Sequence, residues 1–333
     1  IESLESKKKW FPYNKGGEYR KWYGNNEHIV NYENAGKEIC DYIDNTPGAK
    51  VGSNGRVINR DKYFLQGITW SFIGSSYFGV RFSPNGFIFD VGGSSVFPPL
   101  DQIYNITGFL CSKISTEYLS ILNPTLNFQV GNIGSLPILK EVLSSKSNNV
   151  KRIIEITKKD WDSFEISWDF KYLELITIFD GINTLEKVYE KLRFSWQKII
   201  EEIIYLEEKN NKFFIDLYGL NNEIKEDLEL DQITLKINPN FRYGVKFADE
   251  KIEKRLLSDT LKEFISYSVG CIFGRYSLDK PGLILSDQGD TLEDYLNKIT
   301  NPSFMPDDDN VIPVLELDWF EDDITSRFKQ FLK

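Results

Sequence analysis

Gly67-Ile-Thr-Trp-Ser-Phe72 opens the stretch that decides the fold, which continues through Phe78-Gly-Val-Arg-Phe-Ser-Pro-Asn-Gly-Phe-Ile-Phe-Asp-Val-Gly-Gly-Ser-Ser-Val-Phe-Pro-Pro99 and Leu122-Asn-Pro-Thr-Leu-Asn-Phe-Gln-Val-Gly-Asn-Ile-Gly-Ser-Leu-Pro-Ile138. Short β-branched and aromatic runs between Gly, Pro, Asn and Ser predict short strands and tight turns. Pro84-Asn85-Gly86 is expected to close a hairpin between Val80-Arg-Phe82 and Phe87-Ile-Phe89, since Asn and Gly tolerate the required positive φ. A polar loop follows.

Helical patterns lie on both sides of this stretch. Apolar residues three and four apart predict helices over 33–44, 103–122, 172–209 with a break at Asp180-Gly181, 249–272, and the last residues up to Lys333. A polar, serine-rich segment at 140–149 indicates a domain boundary. We therefore predict an α+β protein, with a mixed-strand domain over 1–145 followed by a mainly helical domain over 146–333.

Charge is distributed unevenly between these two regions. The 333-residue chain has a net charge of -10, but residues 1–150 contain 15 Lys and Arg against 13 Asp and Glu, net +2, and residues 151–333 contain 25 against 37, net -12. Phosphate binding depends on local cation clusters rather than on total charge. The first region therefore suits nucleic acid better than the second.

Cysteine, histidine and methionine usage narrows the class of protein. Cys40, Cys111 and Cys271 are odd in number and far apart, which argues against a disulfide framework or a paired-thiol metal site and fits a reducing cytoplasm. The sole histidine, His28, is expected to be a surface or packing residue. The sequence contains no long apolar run, so we expect no membrane-spanning segment. Because the chain begins at Ile1 and its single methionine is Met305, we expect a fragment of a longer protein.

The sequence lacks the signature of amino-group methylation, [Asn/Asp]-Pro-Pro-[Tyr/Phe]. Such enzymes hold a flipped base with that segment. Asn238-Pro-Asn-Phe241 lacks the second proline, and Asn123-Pro-Thr-Leu126 also lacks the aromatic residue. Phe89-Asp-Val-Gly-Gly-Ser-Ser95 approaches a cofactor loop, but its glycines are adjacent. We interpret it as a tight turn, with a phosphate-contacting nest of amides and serine hydroxyls as the alternative.

Two segments could contact DNA. The first, 10–24, interleaves aromatic residues with cations, which could carry bases and phosphates or form a packing cluster. The second is the polar loop 123–129, whose amides could read base edges in the major groove or satisfy their own loop. Packing is favoured for Trp22 and Trp70. The candidate DNA-binding residues are Lys15, Tyr19, Arg20, Lys21, Trp22, Arg56, Arg60, Lys62, Ser71, Arg81, Ser94, Ser95, Asn127 and Gln129.

Several segments together carry a family resemblance. They are Lys9-Trp-Phe-Pro-Tyr-Asn-Lys-Gly-Gly-Glu-Tyr-Arg-Lys-Trp-Tyr-Gly24, Gly55-Arg-Val-Ile-Asn-Arg-Asp61, Gly67-Ile-Thr-Trp-Ser71, Asn123-Pro-Thr-Leu-Asn-Phe-Gln-Val-Gly131, Phe214-Ile-Asp-Leu-Tyr-Gly-Leu220 and Ser266-Tyr-Ser-Val-Gly-Cys-Ile-Phe-Gly-Arg-Tyr-Ser-Leu278. With these, the chain resembles the C-terminal portion of the large adenine-specific DNA methyltransferases of BREX phage-defence systems (the PglX family). It is more distantly similar to type IIG restriction-methylation enzymes.

The resemblance implies a division of labour within a longer protein. An amino-terminal domain would bind S-adenosylmethionine and carry the catalytic motif, so we expect neither catalytic, cofactor nor metal residues in this chain. Residues 1–145 would recognise double-stranded DNA, and the helical region would act as a scaffold or clamp. The alternative is a protein-interaction scaffold for other BREX or restriction-modification proteins, suggested by the acidic second region.

Overall fold

The computed structural model describes residues 5–48, 50–74, 77–144, 148–179, 184–244, 248–315 and 319–333. Six strands lie within these ranges: β1 Trp10–Asn14, β2 His28–Asn31, β3 Gly67–Trp70, β4 Val80–Ser83, β5 Ile88–Phe89 and β6 Ser95–Val96. All six lie in the first third of the chain, where helical segments between residues 33 and 62 separate β2 from β3. The α+β class predicted from the sequence is confirmed.

Thirteen α-helices lie within the same described ranges. They are α1 Glu33–Asn45, α2 Ser53–Arg56, α3 Ile103–Leu110, α4 Lys113–Leu122, α5 Val130–Gly134, α6 Lys140–Ser144, α7 Asn148–Asp162, α8 Glu174–Ile178, α9 Leu185–Tyr218, α10 Pro239–Tyr243, α11 Asp249–Ile272, α12 Leu292–Lys298 and α13 Ile324–Phe331. Two 3₁₀ segments, Arg60–Lys62 and Leu230–Gln232, complete the regular structure. None of these helices is at once long and apolar enough to cross a membrane.

The chain folds as two compact units built from discontinuous segments. The first unit comprises 1–161 and 199–242, and the second comprises 162–198 and 243–333. The predicted domain boundary at residue 145 stays a prediction. The boundaries between the two compact units fall at other positions in the sequence, because residues after 145 on α7 and α9 belong to the same unit as the strands.

Two three-stranded sheets form the β structure of the first unit. One has the order β2-β1-β5, with β1 antiparallel to β2 and parallel to β5. The other has the order β4-β3-β6 and is antiparallel throughout. All four residues of β3 are buried, as befits a central strand.

The predicted hairpin is wrong. Asn85 and Gly86 do form a turn, and Gly86 has a φ of 98°, but β4 pairs with β3 whereas β5 pairs with β1. The strand after the turn is drawn away because Ile88 is buried in an aromatic cluster with Phe11, Tyr32 and Tyr63. Burial in that cluster outweighs local pairing, so the turn joins two sheets.

The predicted helices fare better than the hairpin. The helix predicted over 249–272 is confirmed as α11. The one predicted over 33–44 corresponds to α1, in which Asn34, Ala35 and Gly36 have positive φ, so the regular helix begins after them. The predicted 103–122 helix is divided into α3 and α4, since Ser112 is extended and its hydroxyl bonds the Phe109 carbonyl. The 172–209 prediction corresponds to α8 and the longer α9; Asp180-Gly181 lies outside the described residues.

The second unit is helical with an aromatic interior. Phe170, Tyr267 and Tyr276 pack together, and the two tyrosine rings stack with centroids 5.1 Å apart. Arg193 Nη2 donates to Glu253 Oε1 over 2.6 Å. The last helix of the second unit, α13, confirms the helix predicted at the end of the chain.

Candidate nucleic-acid interface

Four chain segments of the first unit converge where β3 ends. The Ser71 hydroxyl donates to the Gly17 carbonyl over 2.8 Å, and the Phe72 amide donates to the Gly92 carbonyl over 3.0 Å. The Phe128 amide in turn donates to the Phe72 carbonyl over 2.7 Å. We call the meeting point of segments 15–17, 71–74, 90–95 and 123–129 the Ser71 junction.

Some of the side chains in the polar loop of the Ser71 junction form hydrogen bonds within the loop itself. Asn123 Nδ2 donates to the Asn127 carbonyl over 2.7 Å, and the Thr125 hydroxyl donates to Asn123 Oδ1 over 2.7 Å. Trp70 Nε1 donates to the Phe128 carbonyl over 2.8 Å and fixes the loop to β3. The interpretation in which the amides satisfy their own loop therefore holds for Asn123, and base reading by the loop stays a prediction.

Asn127 and Gln129 are the loop amides that remain available. Both residues are exposed, and their side-chain amides have no hydrogen-bond partner in the described part of the chain. Gln129 is the N-cap residue of α5, but its side chain makes no capping bond. Two neighbouring amides held on an anchored loop suit contact with an external ligand.

The Asp90–Ser95 turn is occupied by its own carboxylate. Asp90 Oδ1 accepts from the Gly92 amide over 2.8 Å and from the Gly93 amide over 3.2 Å. The hydroxyls of Ser94 and Ser95 donate to backbone carbonyls within the turn. The tight-turn interpretation accounts for these contacts, and the amides of the alternative phosphate nest are already engaged.

Asp90 also ties this turn to β1. Lys15 Nζ lies 2.9 Å from Asp90 Oδ2, and the Tyr13 hydroxyl bonds the same carboxylate. Burial raises the pKa of Asp90, but the hydrogen bonds from Tyr13, Lys15 and the Gly93 amide outweigh it and hold the pKa below its ordinary value. Lys15, a candidate DNA contact, is thus exposed and already paired.

Arg20, Lys21 and Trp22 lie in the interior of the first unit. Lys21 Nζ is paired with Glu207 Oε2, and the same carboxylate accepts from Trp22 Nε1 over 2.8 Å. Burial lowers the pKa of Lys21, but attraction to Glu207 outweighs it and holds that pKa above its ordinary value. Trp22 keeps a φ of 71°, a costly conformation for a bulky residue that these contacts maintain.

Arg20 is held in the same way by Asp160. Its Nη2 lies 2.8 Å from Asp160 Oδ2, and its guanidinium lies over the Trp161 ring. Both acidic partners come from helices remote in sequence, so no sequence signal connects them to 20–22. Arg20, Lys21 and Trp22 therefore act structurally in this conformation, and we leave them out of the interface proposed below.

Three further candidate cations, on the 56–62 segment, lie away from the contacts that form the Ser71 junction, whereas Arg81 contacts it through the Ser71 hydroxyl. Arg56 is exposed on α2. Arg60 Nε donates to the Val57 carbonyl over 2.9 Å, and its Nη2 lies 3.2 Å from Cys40 Sγ. Lys62 is exposed and lies 3.2 Å from Asp61. They form a basic surface on the 56–62 segment rather than part of the polar loop.

A cavity that sequence reasoning missed lies beside the Ser71 junction. It has a volume of about 620 Å³ and is lined in part by Tyr19, Tyr77, Phe78, Tyr118 and Lys113. Tyr19 packs on Tyr77 with ring centroids 5.4 Å apart. The cavity appears only when residues far apart in sequence meet, although the aromatic and basic 10–24 segment supplies part of it.

The three cysteines are not joined in disulfides, and the histidine lies at the surface. The cysteines are free; Cys111 and Cys271 are buried and Cys40 is partly exposed. Burial raises the pKa of both buried thiols to about 12. His28 is exposed on β2, as expected of a surface residue.

Comparison with known proteins gives two curated relatives over nearly the whole chain. The adenine-specific methyltransferase BrxX of Escherichia coli O9:H4 (strain HS) is 38% identical over 329 residues, covering 98% of this chain and 26% of that protein. This chain is therefore related to adenine-specific methyltransferases. The adenine-specific methyltransferase PglX of Lacticaseibacillus casei (strain Zhang) is 34% identical over 339 residues, covering 99% of this chain and 26% of that protein.

These relatives confirm the resemblance to adenine-specific methyltransferases of the BrxX and PglX type. That the chain is the C-terminal portion of a longer enzyme stays a prediction. The chain spans about a quarter of the length of the curated relatives it matches. No protein-family model matches it. DNA contact by any of the fourteen candidate residues stays a prediction.

Proposed function

We propose that this chain is the DNA-recognition portion of a BREX-type adenine-specific DNA methyltransferase, whose catalytic domain lies N-terminal to it in a longer protein. The observation that carries the proposal is similarity to two adenine-specific methyltransferases over nearly the whole chain, in a sequence without an [Asn/Asp]-Pro-Pro-[Tyr/Phe] segment. S-adenosylmethionine would be held by that catalytic domain. Here the chain's own task is to find the DNA site.

The Ser71 junction supports this proposal with side chains suited to base recognition. Asn and Gln amides can donate and accept together at an adenine edge in the major groove. Asn127 and Gln129 are exposed on a loop that is fixed by Asn123 and Trp70. A loop fixed in advance loses little conformational entropy when it binds, which favours recognition.

The 56–62 segment supplies the sequence-independent part of binding. Arg56, Arg60 and Lys62 are exposed, and cations of this kind bind phosphates through counterion release. Such contacts position a protein on a duplex without reading its sequence. We assign positioning to this segment and discrimination to Asn127 and Gln129.

A binding experiment tests the proposal directly. Fluorescence anisotropy would compare this chain with a duplex that contains the methylation site of the intact protein and with a scrambled duplex, at several salt concentrations. Tighter binding to the site duplex, with affinity falling as salt rises, is expected. Absence of binding to both duplexes at low salt would contradict the proposal, and equal binding would leave only the phosphate contribution.

A second candidate function is a protein-interaction scaffold. It is favoured by the net charge of -12 over residues 151–333, which DNA would repel. Exposed aromatic residues on α9, such as Phe194 and Tyr205, add apolar surface. Copurification of the whole chain with basic BREX or restriction-modification proteins, abolished by charge reversal on α9 but not on 56–62, would favour the scaffold.

A further inference from the structure

Arg81 differs from the other buried cations of the first unit. Its side chain is buried, with a relative exposure of 2%, as are those of Arg20 and Lys21. Arg20 is paired with Asp160 and Lys21 with Glu207. Arg81 has no carboxylate partner among the residues that the structure describes.

The hydrogen bonds of the Arg81 guanidinium are also incomplete. Nη1 donates to the Ser71 hydroxyl at 3.4 Å, the outer limit of a hydrogen bond. Nε is buried and has no partner in the described chain. Buried polar groups are nearly always paired, so an unpaired buried guanidinium calls for an explanation such as a ligand.

The charge of Arg81 persists at neutral pH. Burial lowers its pKa to about 10, and the nearby positive charge of Arg20 adds to that effect. Neutralisation therefore does not relieve the cost of burying the guanidinium. Glu18 lies near Arg81, but it is exposed to solvent and makes no ion pair with Arg81.

A crevice opens beside this guanidinium. It is lined by Gly17, Ser71, Gly74 and Gly79 together with Arg81, and it offers about 10 Å³ of space. That space suits one water-sized atom rather than a whole phosphate. Ser71 is oriented by its bond to the Gly17 carbonyl, so its hydroxyl oxygen faces the guanidinium at the crevice.

We propose that Arg81 binds a phosphate-type oxyanion by receiving one of its oxygen atoms in this crevice. An oxyanion supplies the negative charge and the acceptors that the guanidinium lacks, and arginine forms strong charge-assisted bonds with phosphate. The source that we favour, a phosphodiester of the DNA backbone, rests on the proposed function. The oxyanion site itself rests only on Arg81, Ser71 and the crevice.

Thermal unfolding of the whole chain in inorganic phosphate tests the oxyanion site. Wild type should unfold at a higher temperature in phosphate than in chloride of equal ionic strength, since a ligand that binds only the folded state stabilises it. Phosphate also stabilises folded proteins in general, so Arg81→Met should keep only that general increase and lose the rest, and Arg81→Lys should lose the rest in part. Arg152→Met, at an exposed arginine paired with Glu202, is the control and should keep the whole increase.

A second reading of the same experiment separates a binding role from a structural one. In chloride, Arg81→Met should unfold at the wild-type temperature or above, because it removes an unpaired buried charge. Arg81→Lys keeps the charge and guards against a folding defect of the methionine variant. Equal stabilisation by phosphate in wild type and Arg81→Met, or none in wild type, would overturn the oxyanion site.

Duplex binding tests the proposed source. Arg81→Met should weaken binding to site and scrambled duplexes alike, by about tenfold or more, and lower the salt slope by about one. If wild type binds no duplex but responds to phosphate, the proposed function fails and the oxyanion site stands. If wild type binds duplex and Arg81→Met binds equally well, the backbone source is refuted.

Discussion

Arg20 Nη2 lies 2.8 Å from Asp160 Oδ2, and the two side chains are 4% and 1% exposed. Asp160 also accepts from the backbone amides of Lys236 and Ile237, at 2.9 and 3.1 Å. One carboxylate thus joins three segments of the first unit. Burial raises the pKa of Asp160, and Arg20 and the two amides offset that rise only in part.

Asp160→Asn should destabilise the protein strongly. The change keeps the size of the side chain but leaves Arg20 as a buried charge without a counter-ion, which costs about 3–5 kcal/mol in proteins. Urea unfolding followed by circular dichroism measures the effect. Glu202→Gln is the control, because its bond to Arg152 is exposed and should contribute at most about 1 kcal/mol. Equal losses in both variants would contradict the structural role of Asp160.

Asp90→Asn should destabilise the protein in a pH-dependent way. The loss at neutral pH is expected to be about 1 kcal/mol, since charge-assisted bonds to Lys15 and the Gly92 amide become neutral ones. The folded-state pKa of Asp90 lies below its ordinary value. Its stabilisation is therefore present above the unfolded pKa and is lost as pH falls through the folded one.

The difference between wild type and Asp90→Asn should consequently stay constant from about pH 8 to 5 and shrink below about pH 4. Unfolding free energies measured across this range check the prediction. Asp101→Asn, an exposed acid with no ion pair in the described chain, is a control that should change little. A difference that grows on acidification would be inconsistent with the contacts of Asp90.

Gly86→Ala should cost about 1 kcal/mol through backbone strain. Gly86 has a φ of 98°, but open space surrounds the position of an added Cβ, so a clash does not contribute. Gly134 has equal space and no positive φ. Gly134→Ala should therefore be neutral or slightly stabilising. The melting temperatures of both variants should be measured against wild type. An equal decrease in the two variants would refute this account.

Gln129→Ala and Asn123→Ala should have different effects. Within the described part of the chain Gln129 makes no side-chain hydrogen bond, so its loss should leave stability unchanged and reduce discrimination between site and scrambled duplexes by about tenfold. Asn123 closes the loop through Asn127 and Thr125, so its loss should lower stability by about 1 kcal/mol. Anisotropy and thermal unfolding distinguish the two. Unchanged discrimination in Gln129→Ala would remove it from the interface.

Local chemistry made part of this molecule readable from its sequence. Helices α1 and α11 follow from apolar spacing along a single segment, and the turn at Asn85-Gly86 follows from residues that accept positive φ. The sequence does not show which amides of the polar loop bond within the loop, because Asn side chains bond equally well to a neighbouring backbone and to a ligand. Only the positions of Asn123 and Gln129 separated those roles.

The sequence by itself determined the mixed class of the fold, about half of the described helices and the resemblance to adenine-specific methyltransferases, because each depends on residues near one another or on order along the chain. Tertiary structure alone decided that β4 and β5 separate into two sheets, that Arg20 and Lys21 turn inward, and that Arg81 does so without a carboxylate among the described residues. Those outcomes depend on partners far away in sequence. A cation's sequence neighbours do not reveal whether a remote helix brings it an acid, and here that difference separates structural cations from the proposed oxyanion site.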